Sequence, residues 1–135
     1  MIKYIEGNFR YQLAEDHKFR TAIKPERNIS TFFIHLDTDG NGLVRKGYAW
    51  DGPSGPTIDT PDFIRPSLEH DVKYELMRKE LIGQEWRAAA DSELKESCIE
   101  NKMPKFRAHY VYEFVVDFGM PSANPKNRKQ ILTAP

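Results

Sequence analysis

The spacing of apolar residues changes near residue 60, and no single type of secondary structure satisfies both halves of the chain. Before that point, short β-branched and aromatic runs alternate with turn residues. Met1–Ile5, Arg10–Leu13 and Phe19–Ile23 are predicted as short strands. The strongest strand signal is Ile29–Leu36 (ISTFFIHL), whose residues suit a pleated, half-buried surface. Asp37-Thr38-Asp39-Gly40-Asn41-Gly42 is a dense turn signal, and Leu43–Trp50 is expected to return as the second strand of a hairpin.

After residue 60 the period becomes helical. Pro66 fits the first turn of a helix, and Ser67–Arg78 has good helix formers and no breaker. Leu68, Val72 and Leu76 trace one stripe; His70, Tyr74 and Met77 trace another. Leu81-Ile82-Gly83 breaks the pattern, and a second helix is expected from about Gln84 to Asn101, with Trp86, Ala90, Leu94 and Ile99 toward the core. Pro104 opens a third segment, assigned as helix on its length, and the tail from Pro121 has the composition of a loop. The expected fold class is α+β in one domain, residues 1–135: a small N-terminal antiparallel sheet, an antiparallel helical hairpin, and a third C-terminal helical segment.

Composition narrows the function classes. The 20 basic side chains balance 20 acidic ones, which gives no whole-chain attraction to nucleic acid or acidic membranes. No apolar run approaches the roughly 18 residues that span a bilayer, and the first dozen residues lack the apolar stretch of an export signal. Cys98 is the single cysteine, which excludes an internal disulfide and fits a reducing compartment. The expectation is a soluble protein made inside a cell.

The chemistry is concentrated between residues 47 and 91. Gly47–Thr60 packs three glycines and two prolines between a strand and a helix, a shaped loop suited to holding a ligand or only to turning the chain. In an antiparallel hairpin turning about Leu81, facing residues share a constant sum of residue numbers. That rule sets His70 against Asp91, Tyr74 against Arg87 and Ser67 against Leu94. A carboxylate bonded to one imidazole nitrogen fixes the tautomer and leaves the other as a base, which is half of a hydrolytic site. Asp71 points about 100° away from His70, toward the loop that holds Asp51. Asp51, Asp71 and loop carbonyls would form an oxygen-only set suited to a hard cation such as Ca²⁺; the plainer alternative is that Asp71 caps the helix or pairs with Lys73 or Arg78.

Two resemblances follow from these residues. Gly47-Tyr48-Ala49-Trp50-Asp51-Gly52-Pro53-Ser54-Gly55-Pro56-Thr57, with Arg65-Pro66-Ser67, His70-Asp71-Val72-Lys73-Tyr74 and Arg87-Ala88-Ala89-Ala90-Asp91, resembles a family of small uncharacterised proteins of bacteriophages and prophages. The Asp-Gly loop, the His-Asp-x-x-Tyr helix and a later Asp on the next helix are similar to the phospholipase A2 superfamily. That resemblance implies a histidine base (His70), an orienting aspartate (Asp91), a supporting tyrosine (Tyr74), and a Ca²⁺ ion held by Asp51, Asp71 and Gly52. Arg87 and Trp50 are candidates for substrate contact. The chain departs from the superfamily in lacking its disulfides and export signal.

The expectation is therefore a phage-encoded, phospholipase A2-like hydrolase acting on a lipid or other ester, located in the host cytoplasm or the virion, with no nucleic-acid partner. Hydrolysis of an amide or cell-wall bond by the same residues is a variant of it. The competing class is a non-enzymatic phage structural or host-interaction protein, in which these residues form a buried polar network. An enzyme requires His70 to be reachable from a concave, partly apolar cleft. Elsewhere, Asp37–Gly42 matches the first half of a calcium-binding EF-hand loop, but Tyr48 stands where the bidentate glutamate belongs, so a hairpin turn is expected. Cys98 is expected in the core and His35 as a half-buried structural residue.

Overall fold

A computed structural model gives the fold and describes residues 2, 4–5, 11–50 and 60–127. The fold is α+β. Its strands are β1 (Tyr4–Ile5), β2 (Tyr11–Leu13), β3 (His17–Arg20), β4 (Ile29–Ser30), β5 (Ile34–Leu36), β6 (Asn41–Val44) and β7 (Ala49–Trp50). The helices are α1 (Pro61–Arg78), α2 (Arg87–Glu100), α3 (Lys105–Phe118) and α4 (Met120–Ala123), with single 3₁₀ turns at Gln84–Trp86 and Pro125–Asn127. One antiparallel sheet has the order β1-β2-β7 and the other β3-β6-β5-β4.

The strand assignments needed two corrections. Ile29–Leu36 is not one strand but a tight hairpin, β4 against β5 with Ile29 opposite Leu36. Thr31 makes the turn: its amide donates to the Ile34 carbonyl at 2.8 Å, and its hydroxyl accepts from the Ile34 amide at 3.0 Å. A threonine hydroxyl that bonds nearby backbone competes with the ladder in this way. Leu43–Trp50 likewise divides, with β6 in the four-stranded sheet and β7 in the other. The Asp37–Gly42 segment is the expected turn. Asp37 Oδ1 accepts the amides of Asp39 and Asn41, each at 2.9 Å, so its carboxylate is occupied by its own backbone.

Helix α1 starts at Pro61, five residues before Pro66. Pro61 takes the first helical position, where a missing N–H costs nothing, and Pro66 lies inside the helix. Leu68, Val72 and Leu76 are fully buried, as their stripe requires. With Ile64 they pack against Leu13, Ile34, Leu36, Val44 and Trp50 of the two sheets in one apolar core. A second cluster joins Phe63 of α1, Leu94 and Cys98 of α2, and Ala108 and Val111 of α3. α1 thus has a sheet layer on one side and helices on the other, so polar side chains such as Glu69, His70 and Lys73 are buried on it too. The hairpin turns where Glu80 adopts φ 59°, and the amide of Leu81 closes onto the Leu76 carbonyl at 2.9 Å. No helix among the described residues is long and apolar enough to cross a membrane.

Candidate functional site

The helical hairpin brings the expected pair together. His70 Nε2 lies 2.8 Å from Asp91 Oδ1, and Tyr74 Oη donates to the same oxygen at 2.6 Å. All three residues are buried. A carboxylate only accepts, so Nε2 carries the proton and Nδ1 of the neutral ring is the bare nitrogen. Among the described residues nothing bonds Nδ1.

Burial lowers the pKa of His70, and the bond and charge of Asp91 oppose that shift; Lys73 and Arg87 add to the lowering. The ring is therefore neutral near pH 7, the form a base requires. Burial, reinforced by the bond to Asp91, raises the Tyr74 phenol above its ordinary value, so Tyr74 stays a donor.

Arg87 faces Tyr74 as the hairpin register implies, with Nε 3.4 Å from Tyr74 Oη and 3.9 Å from Asp91 Oδ2. Its far end donates to the Val116 carbonyl at 2.7 Å, which ties the C-terminal end of α3 to the site. Gly119 permits the same closure, because a Cβ there would stand 2.6 Å from Tyr74 Oη. Trp50 is a core residue, 3% exposed, whose indole donates to Ser67 Oγ at 3.1 Å. Ser67 in turn donates to the Ile64 carbonyl at 2.9 Å. Neither Arg87 nor Trp50 lines the groove beside His70.

That groove, about 260 Å³, runs between α1, α2 and β3. Its walls are charged where a partly apolar cleft was expected. Lys73, 3% exposed, places Nζ 3.1 Å from Glu93 Oε1. Glu93 also accepts the Thr21 hydroxyl at 2.5 Å and the Ala22 amide at 3.0 Å, which pins the end of β3 to α2. A second histidine–carboxylate pair lies alongside: His17 Nε2 is 2.8 Å from Glu69 Oε2, and Arg65 bridges Glu69 and Glu100 at 3.6 and 3.3 Å. The sequence reading missed both groups. Lys73 lies three residues after His70 and could have been placed by helical spacing, whereas His17 and Glu69 are 52 residues apart and carry no local signal.

Of the proposed cation ligands, Asp51 and Gly52 lie outside the described residues. Asp71 is half-buried on the flank of α1 that faces Tyr48. Burial raises the Tyr48 phenol well above its ordinary value, Glu75 and Asp71 raise it further, and Arg78 opposes them. Asp71 thus contributes negative charge at Tyr48, three residues before Asp51 in the sequence. Among the described residues no three His, Cys, Asp or Glu side chains cluster as a metal site. Cys98 is fully buried, as expected, and burial with Asp62 nearby pushes its thiol up to about 12. His35 is half-buried and bonds Ser30 Oγ at 2.8 Å. No protein-family model, curated protein or solved structure matches the chain.

Proposed function

We propose that this chain is a phage-encoded hydrolase that activates water against an ester, with His70 as base and Asp91 as its orienting partner. The observation that carries the reading is the 2.8 Å bond from His70 Nε2 to Asp91, which leaves Nδ1 unprotonated on a neutral ring. In the proposed step Nδ1 takes a proton from water as the hydroxide oxygen bonds to the ester carbonyl carbon. Collapse of the tetrahedral intermediate breaks the bond to the alcohol oxygen, which receives the proton back from His70. Asp91 holds the ring, and Tyr74 holds Asp91. Asp71, with Asp51 and Gly52, would hold a Ca²⁺ ion, which when bound supplies polarisation of the ester carbonyl. The arrangement of His70, Asp91 and Tyr74 is the one implied by the resemblance to the phospholipase A2 superfamily. The charged groove favours an ester with a polar or charged head group.

The test is release of fatty acid from phosphatidylglycerol vesicles and cleavage of a soluble ester, each with Ca²⁺ and with chelator, beside calcium calorimetry on wild type and Asp71→Ala. Calcium-dependent turnover with calcium binding lost in Asp71→Ala is expected. No turnover on either substrate refutes the hydrolase. A second reading, a non-enzymatic phage component stabilised by a polar network, is favoured by the 7% exposure of His70 and by the ion pairs that close the groove. It predicts neither turnover nor calcium binding.

A further inference from the structure

Ser30 and His35 stand directly opposite each other in the β4–β5 hairpin. Opposite residues of an antiparallel pair put their side chains on one face of the sheet. Here the Ser30 hydroxyl lies 2.8 Å from His35 Nδ1. Thr31 closes the hairpin through both its amide and its hydroxyl, so a backbone ladder sets that distance. Ser30 is exposed and His35 half-buried. Among the described residues the Ser30 hydroxyl has no other partner, and His35 Nε2 has none.

The pair lies in an open groove of about 540 Å³ across the outer face of the four-stranded sheet. This groove shares no lining residue with the one beside His70. Asn28 lines it two residues before Ser30, about 7 Å away at the rise of an extended chain. The Asn28 side-chain oxygen accepts the Thr38 amide at 3.1 Å, which leaves its own N–H groups to donate elsewhere. Asp37 is the one carboxylate in the lining. Its oxygens take the amides of Asp39 and Asn41 and the Asn41 side chain, and no bond joins it to His35.

We propose that Ser30 is an acyl-accepting nucleophile, with His35 Nδ1 as its base and the Asn28 amide as donor to the carbonyl oxygen, and that it takes acyl groups from activated donors such as aryl esters and thioesters. With the ring proton on Nε2, Nδ1 accepts the hydroxyl proton. In the step, Ser30 Oγ bonds to the carbonyl carbon as its proton passes to Nδ1. The tetrahedral intermediate collapses by breaking the bond to the leaving oxygen or sulfur, which takes the proton from His35. The acyl group stays on Ser30. No carboxylate holds Nε2–H, so the pair lacks the third member of a full triad. That restricts it to donors whose leaving group departs readily and excludes amides.

The test is incubation of the full chain with p-nitrophenyl acetate, read by p-nitrophenolate release and, after acid quenching, by peptide mass spectrometry. The expected result is an initial burst of about one p-nitrophenolate per chain, with the acetyl group mapped to Ser30. Ser30→Ala abolishes the burst. His35→Gln slows acetylation of Ser30 by about a hundredfold or more, the scale of a lost general base. Neither residue is buried in the core, and circular dichroism checks that both variants fold. The reaction proposed for His70 passes through no acyl-enzyme, so steady release with Ser30 unmodified overturns this inference and leaves that reading intact. Acetyl groups confined to lysines overturn it as well, as does acetylation of Ser30 at an unchanged rate in His35→Gln.

Discussion

Replacing Asp91 with alanine removes the acceptor on which two buried donors converge. The Tyr74 hydroxyl and the His70 N–H, in residues 3% and 7% exposed, lose their bonds at 2.6 and 2.8 Å. Each stranded donor costs about 1–3 kcal/mol. The two costs arise at one site and do not add fully, so we expect a loss of about 3–4 kcal/mol. That is a large share of the roughly 5–15 kcal/mol that holds a domain together. With a urea dependence of about 1.5 kcal/mol per molar, the unfolding midpoint falls by about 2 M. Tyr74→Phe, which removes one donor to the carboxylate, costs about 1.5–3 kcal/mol. In Asp91→Ala the hydroxyl has already lost its acceptor, so the double variant is more stable than the summed single losses by about 1 kcal/mol or more. Urea unfolding at pH 7.5, followed by circular dichroism, reads all four proteins. A midpoint shift below about 0.5 M for Asp91→Ala, or strict additivity, would refute the shared-acceptor geometry.

Three further outcomes follow from the structure. His70 titrates below its ordinary value because burial disfavours the imidazolium. Between that lowered value and about 6.5 the unfolded chain binds more protons, so the contribution of His70 to stability is complete above pH 6.5 and is lost as pH falls; an NMR titration that places His70 above 6.5 contradicts this. Cys98, with its thiol pushed up to about 12 and its side chain fully buried, resists alkylation in the native protein and reacts only on unfolding, which mass spectrometry after timed labelling reads. Labelling at the rate of a free thiol would count against that packing. Gly40→Ala costs about 2 kcal/mol or more in thermal or urea unfolding, because φ is +85° and a Cβ would collide with the Thr21 carbonyl oxygen; a neutral substitution would place the turn elsewhere.

The helical hairpin was the most legible part of the chain. Facing positions on two antiparallel helices obey simple arithmetic, and a 21-residue interval was enough to set His70 against Asp91. The same arithmetic paired Tyr74 with Arg87 but did not foresee that the Tyr74 hydroxyl bonds Asp91. Residue numbers locate backbone positions, and a tyrosine reaches about one helical turn beyond its own. The sheet was less legible. Composition marked Ile29–Leu36 as β, but the break at Thr31 depends on one hydroxyl closing onto its own backbone. The start of α1 was obscured by two prolines five residues apart, either of which could open a helix. The polar contacts of the groove join residues as distant as Thr21 and Glu93, whose hydroxyl and carboxylate share a hydrogen bond, so only the folded chain brings them together.

The most direct test of His70 as base is the pH dependence of kcat/KM for a soluble ester, measured on wild type and on His70→Ala at matched folding. The account predicts that wild-type activity falls on the acid side with a midpoint below 6.5, set by the lowered pKa of His70, and that His70→Ala abolishes turnover while remaining folded. Turnover that survives His70→Ala with the same pH profile would contradict it.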